Sequence, residues 1–352
     1  MQQPFQFVSN VCEFASNYVT GLLKTFGPKN VESMSRSTGI SRSKLYQEQS
    51  LDSNKFKDAL LTIAQEGTKN QYTKLVFDGT TVQKPYGKTI ENITYDRNAC
   101  SGYVERCLSI VASFVCTSKK AFPLNFHFWR RNKDAGNQYL KKTDLAFNLL
   151  NEAYAKIKIH LVLMDGGFCC TKILKQIYEL GLEYIARFPR GRKITINNVT
   201  DLIQNHSCFQ MTRNQRYIVV EGFYQNMPCR FVAHKRKGRN GKNEVIFYIT
   251  NKLLSAKKLV KLYAKRWKIE KGFRTTKQKI GLADCQSRSL IKQTNHILSV
   301  FLAYSISMLK TSPLLKNSVD CYLNFIRQKE GQKSPCLKRR KYNRMRTKRH
   351  PN

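Results

Sequence analysis

Apolar residues follow two different spacings along the chain, and each spacing predicts a different kind of element. Helical spacing predicts helices over Val11–Gln49, Thr143–Lys156, Cys170–Leu180, Ser255–Ile280 and Leu290–Leu309. Short apolar or alternating runs predict strands at Lys74–Asp78, Arg106–Thr117, Ala121–Trp129, Ile159–Asp165, Leu182–Phe188, Tyr217–Phe223, Cys229–His234 and Glu244–Thr250. The chain is therefore expected to be an α/β protein with a helical N-terminal region.

Two of the predicted strands end in an acidic residue. Lys74–Asp78 and Ile159–Asp165 are apolar runs whose last residue is an aspartate. Functional sites in α/β sheets collect at the carboxyl ends of strands, so Asp78 and Asp165 are candidate site residues.

The N-terminal region contains a pattern typical of a helix-turn-helix. A short predicted helix ends at Gly39, where glycine suits a left-handed turn, and Ser41 is placed to cap a second helix. The exposed side of that second helix offers Arg42 and Lys44 to DNA. The alternative is an ordinary helical hairpin with a polar face.

Charge narrows the class of partner. The 352 residues contain 62 Lys and Arg against 23 Asp and Glu, a formal net charge of +39. Such an excess repels itself unless a polyanion neutralises it, and nucleic acid is the usual one. Charge alone leaves open a ribosomal or chromatin-like packing protein or a membrane-surface binder. The segment from Lys333 to Arg349 forms a basic tail that favours nucleic acid.

The cysteines and the apolar runs bear on the compartment. Eleven cysteines are present without a CxxC pair, which favours buried thiols in a reducing compartment over a structural zinc site. The first residues lack the pattern of a signal peptide, and no run is long enough to span a bilayer. We expect a cytoplasmic protein with no membrane partner.

One predicted helix carries four polar residues on a single face. Tyr263, Arg266, Glu270 and Lys277 are offset by 0, 3, 7 and 14 positions, which confines them to an arc of roughly 60° on a regular α-helix. One carboxylate between two cations suits phosphodiester chemistry, because the cations hold phosphates while the carboxylate holds a metal. A solvated helix face is the alternative.

Glu270 together with Asp78 and Asp165 suggests a metal site. Three converging carboxylates repel each other unless cations lie between them, and two divalent ions about 4 Å apart are the usual arrangement for attack at phosphorus. For any single acid of the three, a salt-bridge role is the simpler interpretation.

These residues resemble the signature of a known family. The spacing Tyr263-x2-Arg266-x3-Glu270-x6-Lys277 is similar to the Y-R-E-K signature of the IS4-type insertion-sequence DDE transposases. The regions that begin at Asp78 and Asp165 are similar to the family's first and second acids, and the resemblance covers roughly residues 72–309. The long gap between Asp165 and Glu270 resembles the subgroup with a β-strand insertion.

The resemblance implies roles for individual residues. Asp78, Asp165 and Glu270 would bind two Mg²⁺ or Mn²⁺ ions, while Tyr263, Arg266 and Lys277 would contact phosphates of the transposon end. Trp267 would stack on an unpaired base. Arg190 and Arg192, which follow a predicted strand, are further candidates for phosphate contact, or else belong to a solvated loop.

The resemblance also implies an organisation and an activity. We expect an RNase H-like catalytic core at residues 69–189 and 253–312, an antiparallel β insertion at 190–252, a helical DNA-binding region at 1–68 and a C-terminal segment with the basic tail at 313–352. The function implied is cut-and-paste transposition by a homodimer that binds terminal inverted repeats and target DNA in a prokaryotic cytoplasm, at the nucleoid when bound. An RNase H-like nuclease or resolvase and a catalytically silent DNA-binding derivative remain the alternatives.

Overall fold

In the computed structural model, which describes residues 17–98, 101–238 and 240–309, eleven strands form one mixed sheet. The strands are β1 (Lys74–Gln83), β2 (Thr94–Arg97), β3 (Val104–Cys116), β4 (Ala121–Trp129), β5 (Leu161–Met164), β6 (Glu183–Phe188), β7 (Lys193–Ile196), β8 (Val199–Leu202), β9 (Tyr217–Tyr224), β10 (Met227–Lys237) and β11 (Asn243–Thr250). Their order is β2-β3-β1-β5-β6-β11-β10-β9-β7-β8, with β4 also paired to β3.

Strand direction divides the sheet into two parts. β1, β5 and β6 are parallel neighbours, and β3 pairs antiparallel with β1 and β4. The four residues of β5 are all buried, as expected for a central parallel strand covered on both faces. This large mixed sheet fits the RNase H-like fold that the resemblance implies. Beyond β6, the strands from β7 to β11 continue the sheet through antiparallel pairs.

The helices lie before, between and after these strands. They are α1 (residues 17–24), α2 (Val31–Thr38), α3 (Arg42–Glu48), α4 (Ser53–Thr68), α5 (Asn132–Ala135), α6 (Lys142–Tyr154), α7 (Thr171–Glu179), α8 (Ala256–Tyr263), α9 (Trp267–Thr275) and α10 (Leu290–Leu309). α6 leads from the β3–β4 hairpin into β5, and α7 joins β5 to β6. α4 packs against both α10 and β4, so the N-terminal helices share a core with the sheet.

A buried polar network joins the first helix to the last. The ring of His296 on α10 lies between two groups: its Nε2 is 2.9 Å from the carbonyl of Gly281, and its Nδ1 is 2.8 Å from the hydroxyl of Tyr18 on α1. A carbonyl only accepts, so Nε2 carries the proton and Nδ1 accepts from Tyr18. That hydroxyl in turn accepts a hydrogen bond from Gln49 at the end of α3.

The structure differs from the predicted elements in several respects. The described part of the predicted helix Val11–Gln49 is divided into α1, α2 and α3, and α5 was not predicted. β1 continues past Asp78 to Gln83, because β3 pairs with it along its whole length. Three short strands, β2, β7 and β8, were not predicted. The predicted helix Ser255–Ile280 consists of α8, a 3₁₀ turn at Ala264–Arg266, α9 and a π-helical turn at Thr276–Ile280.

Several predictions concern residues outside the described ranges. The basic tail, the predicted segment 313–352 and the first residues of the N-terminal region belong to this group. The seven cysteines within the described ranges are all free thiols, in agreement with the prediction. Among the helices of the described residues, none is both long enough and apolar enough to cross a membrane.

Burial makes the network at His296 sensitive to pH. Burial lowers the pKa of His296 from 6.5 to about 4, so the folded protein resists a proton that the unfolded chain accepts. The stabilisation by neutral His296 is complete above pH 6.5 and is lost as the pH falls towards 4. We expect the stability advantage of the wild type over His296→Gln to shrink by up to about 3 kcal/mol between pH 7 and pH 4.

Denaturant unfolding of both proteins across this range measures the difference, and other titrating groups cancel in it. An advantage that does not change with pH would contradict the proposed burial of a neutral imidazole.

Candidate active site

Asp78 lies where the two central strands separate. The parallel pairing of β1 with β5 ends at Val76 and Leu163, two residues before Asp78. The backbone N–H of Gly79 donates to Oδ1 of Asp78 at 2.9 Å, which fixes one carboxylate oxygen. The side chain is 22% exposed, so it faces a cleft and not the core.

Asp165 follows β5 directly. Its carbonyl accepts from the N–H groups of Phe168 and Cys169 at 3.0 and 3.2 Å, which closes a tight turn over Gly166 and Gly167. Phe168 is buried and anchors this turn. Because β1 and β5 are parallel neighbours, Asp78 and Asp165 emerge at the same edge of the sheet.

Glu270 reaches this edge because α9 lies unusually close to the sheet. A Cβ atom at Gly272 would be 2.7 Å from Cε1 of Phe114 on β3, closer than van der Waals contact allows. Phe114 is fully buried and also packs edge-on against Phe273. Glycine at position 272 therefore permits the approach that brings Glu270 near Asp78.

The guanidinium of Arg266 lies among the three acids. Its Nη2 donates to Oε1 of Glu270 at 2.5 Å, and its Nη1 lies 3.4 Å from Oδ2 of Asp78. Arg266 is only 7% exposed. Burial alone would lower its pKa, but the surrounding phenol and carboxylates, including that of Asp165, raise it. Arg266 is thus the cation that balances this acidic cluster.

Tyr263 completes the cluster on the side of Asp165. Its hydroxyl is 3.5 Å from Oδ1 of Asp165, longer than an ordinary hydrogen bond. Burial raises the pKa of Tyr263, so the phenol is neutral at physiological pH. The ring packs edge-on against Tyr248 of β11 at a centroid distance of 4.9 Å. The antiparallel extension therefore supports one wall of the site.

The two other acids and Arg266 all affect the pKa of Asp78. Burial raises the pKa of Asp78 from 3.8 to about 6; Arg266 and the N–H of Gly79 lower it, and the charges of Glu270 and Asp165 raise it again. Asp78 therefore lies within the electrostatic influence of both other carboxylates.

The donor set fits a divalent ion in kind, since carboxylate oxygens are the usual ligands of Mg²⁺ and Mn²⁺. The spatial grouping of these ligands fits a metal ion less well than their chemistry does. Within the described ranges, no three His, Cys, Asp or Glu side chains are grouped so as to hold a metal ion. The guanidinium of Arg266 lies between Asp78 and Glu270 instead.

Two further predicted residues, Trp267 and Lys277, belong to the same helical segment. Trp267 is 50% exposed beside Arg266. Lys277 lies half-buried on the π-helical turn, where the regular geometry assumed in the prediction does not hold. The structure brings Tyr263, Arg266 and Glu270 into one cluster, although they lie on α8, a 3₁₀ turn and α9, respectively.

The arginines after β6 have contacts within the protein. Arg192 donates to the carbonyl of Cys169 and lies over the rings of Phe188 and Tyr224, so it braces the turn that follows Asp165. Arg190 is exposed and donates to the carbonyl of Val245. In the N-terminal region, Arg42 and Lys44 are both exposed on α3, and Arg42 pairs with Glu32 at 2.8 Å.

Sequence reasoning missed Tyr248 as a site residue. It lies in the predicted strand Glu244–Thr250, but only the three-dimensional pairing of β11 with β6 brings it to Tyr263. The local pattern along this strand does not identify the residue that packs against Tyr248.

The raised pKa of Asp78 is measurable. In protein without added divalent ions, we expect its carboxyl carbon to titrate near pH 6 in ¹³C NMR, with the resonance assigned by its loss in Asp78→Asn. Because Arg266 lowers this pKa, Arg266→Ala should move the midpoint upward. A midpoint near 3.8 in the wild type would show that Asp78 is solvated.

Comparison with known proteins agrees with this geometry. A search among curated proteins finds no match. A family model described as "Transposase DDE domain" matches residues 69–306, about two thirds of the 352 residues, and this span includes the three acids and Arg266. The chain therefore belongs to the transposase DDE domain family.

Proposed function

We propose that this transposase cuts DNA at transposon ends and joins the ends to target DNA, with Asp78, Asp165 and Glu270 as ligands of two divalent ions. The observation that carries the proposal is the convergence of these carboxylates, from two strands and a helix, around one buried guanidinium. Gathering these charges costs folding free energy, and such clusters are common at functional sites.

Bound divalent ions would supply the activation of water or a 3′-hydroxyl and the stabilisation of the leaving oxygen. The protein's own residues would hold and orient the reacting strand. Arg266 has a planar guanidinium suited to a phosphate, and Tyr263 offers a neutral hydroxyl as a hydrogen-bond donor. Lys277, Arg190 and the exposed ring of Trp267 are proposed as further contacts with the DNA, whereas Arg192 contributes by bracing the turn after Asp165.

DNA is the partner that the family implies, and we propose that α3 recognises the transposon end. Gly39 has a left-handed backbone with φ 73°, and Ser41 caps α3 through the N–H of Lys44. Leu45 is buried while Arg42 and Lys44 are exposed, which is the distribution expected of a recognition helix. Glu32 already neutralises Arg42, so Lys44 offers the freer charge.

We propose that the strands β7–β11 are the family's insertion and that they stabilise the site through Tyr248. The β10–β11 hairpin also carries exposed basic side chains, among them Arg236 and Lys237. Cut-and-paste transposition of an IS4-type element, pairing of two ends by a homodimer and action in a prokaryotic cytoplasm belong to the same proposal.

Substitution of Glu270 tests the proposed chemistry. We expect Glu270→Gln to reduce cleavage and strand transfer more than about 100-fold, since even groups that only orient metal ligands are worth 10- to 100-fold. The measurement uses the full chain, Mg²⁺ and DNA that carries the element's own ends.

The matched control is Glu179→Gln, the same chemical change at an exposed position on α7, which should leave the rate unchanged. Equal rates for Glu270→Gln and the wild type would reject the proposal. End binding without cleavage by the wild type would indicate a silent DNA-binding protein, and cleavage of branched DNA without preference for ends would indicate a resolvase.

A second prediction concerns α3. If Lys44 contacts a phosphate, Lys44→Ala should weaken binding to end DNA and reduce the slope of log affinity against log salt by about 1. Fluorescence anisotropy over a range of salt concentrations measures both quantities. Lys175→Ala, which removes the same charge from the exposed side of α7, should leave the slope unchanged. Equal slopes in all three proteins would exclude α3 as a phosphate contact.

A further inference from the structure

The side chain of Arg266 is buried but incompletely bonded. Its Nη2 is bound closely to Glu270, its contact with Asp78 at 3.4 Å exceeds the usual range, and its Nε has no hydrogen-bond partner within the described residues. Arginine has five donor hydrogens, and a buried donor without a partner costs free energy. In this position, the hydrogen-bonding capacity of the carboxylates is therefore better satisfied than that of the guanidinium.

The guanidinium and a divalent ion require the same place. Mg²⁺ binds carboxylate oxygens at about 2.0–2.1 Å in near-octahedral geometry, so an ion on Oε1 of Glu270 or Oδ2 of Asp78 competes with the guanidinium for the lone pairs that Arg266 uses. Repulsion between the two cations in a half-buried cleft adds to this conflict. In its present position, Arg266 therefore competes with a metal ion for oxygens of Asp78 and Glu270.

We propose that Arg266 and divalent metal ions are alternative cations for one set of carboxylate oxygens, and that metal binding moves the guanidinium from Asp78 and Glu270 onto a DNA phosphate. The proposal rests on the function proposed above and adds a coupling between metal occupancy and the grip on DNA. Without metal, the ion pairs with Arg266 hold the acids together. With metal, the released guanidinium gains a phosphate that accepts two parallel hydrogen bonds.

This exchange accounts for two features of the site together. A side chain of the protein already balances the charge of the gathered acids. The unpartnered Nε and the long contact with Asp78 make Arg266 the weaker holder of these oxygens, so a divalent ion is able to displace it.

Metal affinity in the absence of DNA is the first test. Titration calorimetry of the full chain with MnCl₂ should show Arg266→Ala binding Mn²⁺ on the order of 10-fold more tightly than the wild type, because no guanidinium has to be displaced. Arg274→Ala is the matched control: it removes the same charge from an exposed position on the same helix and should change the affinity much less. Equal or weaker binding by Arg266→Ala, relative to Arg274→Ala, would overturn the proposal.

The variant Arg266→Gln is a control for misfolding, since it removes the charge and retains a hydrogen-bond donor for Glu270. Both Arg266 variants should show the tighter binding, and thermal melting identifies a variant that has lost its fold. If only the alanine variant binds more tightly, the effect is a local collapse and the exchange is overturned.

The coupling to DNA is the second test. Ca²⁺, which occupies oxygen sites, should raise the affinity of the wild type and of Arg274→Ala for duplex end DNA, measured by anisotropy, relative to the same ionic strength of NaCl. Arg266→Ala should lose this gain. A gain that persists in Arg266→Ala overturns the transfer to phosphate. Cleavage by Glu270→Gln tests the proposed function independently, so a failure of the exchange leaves that result intact.

Discussion

Mutual repulsion among carboxylates is the constraint around which this fold is organised. Asp78, Asp165 and Glu270 come from elements far apart in the chain, and their negative charges oppose the packing that gathers them. One buried arginine, on the 3₁₀ turn directly before the helix of Glu270, offsets that repulsion. The acids are positioned by three features: the parallel strands β1 and β5, the tight turn after β5 and the close approach of α9 at Gly272. Arg266 balances the negative charge where they meet.

The sheet extension beyond β6 belongs to the same arrangement. Tyr248 on β11 packs against Tyr263, whose hydroxyl faces Asp165, so the antiparallel strands form part of the wall of the cleft. The net positive charge of the chain is compatible with this acidic site. An acidic cleft in a protein with a net charge of +39 attracts metal ions locally, while the surrounding surface attracts a polyanion.

Much of this site was accessible from the sequence, for identifiable reasons. Asp165 follows the apolar residues Leu161–Met164, and Tyr263, Arg266 and Glu270 have helical spacing, so local patterns pointed to these four residues. Asp78 was predicted at the end of a strand, but β1 continues to Gln83. The sequence could not show this continuation, because it depends on non-local pairing with β3. The 3₁₀ and π-helical turns, the internal bonds of Arg192 and the packing of Tyr248 depend on tertiary contacts that no local spacing encodes.

The buried bonds from Tyr18 through His296 to Gly281 also limit how this protein can be recombined with its relatives. Ser53 and Asn295 add a second polar contact between the N-terminal helices and α10. The helices that carry α3 are therefore not an independent cassette. A chimera that imported another N-terminal region to redirect end recognition would also have to import matching residues on α10, or leave Nδ1 of a buried imidazole without a partner.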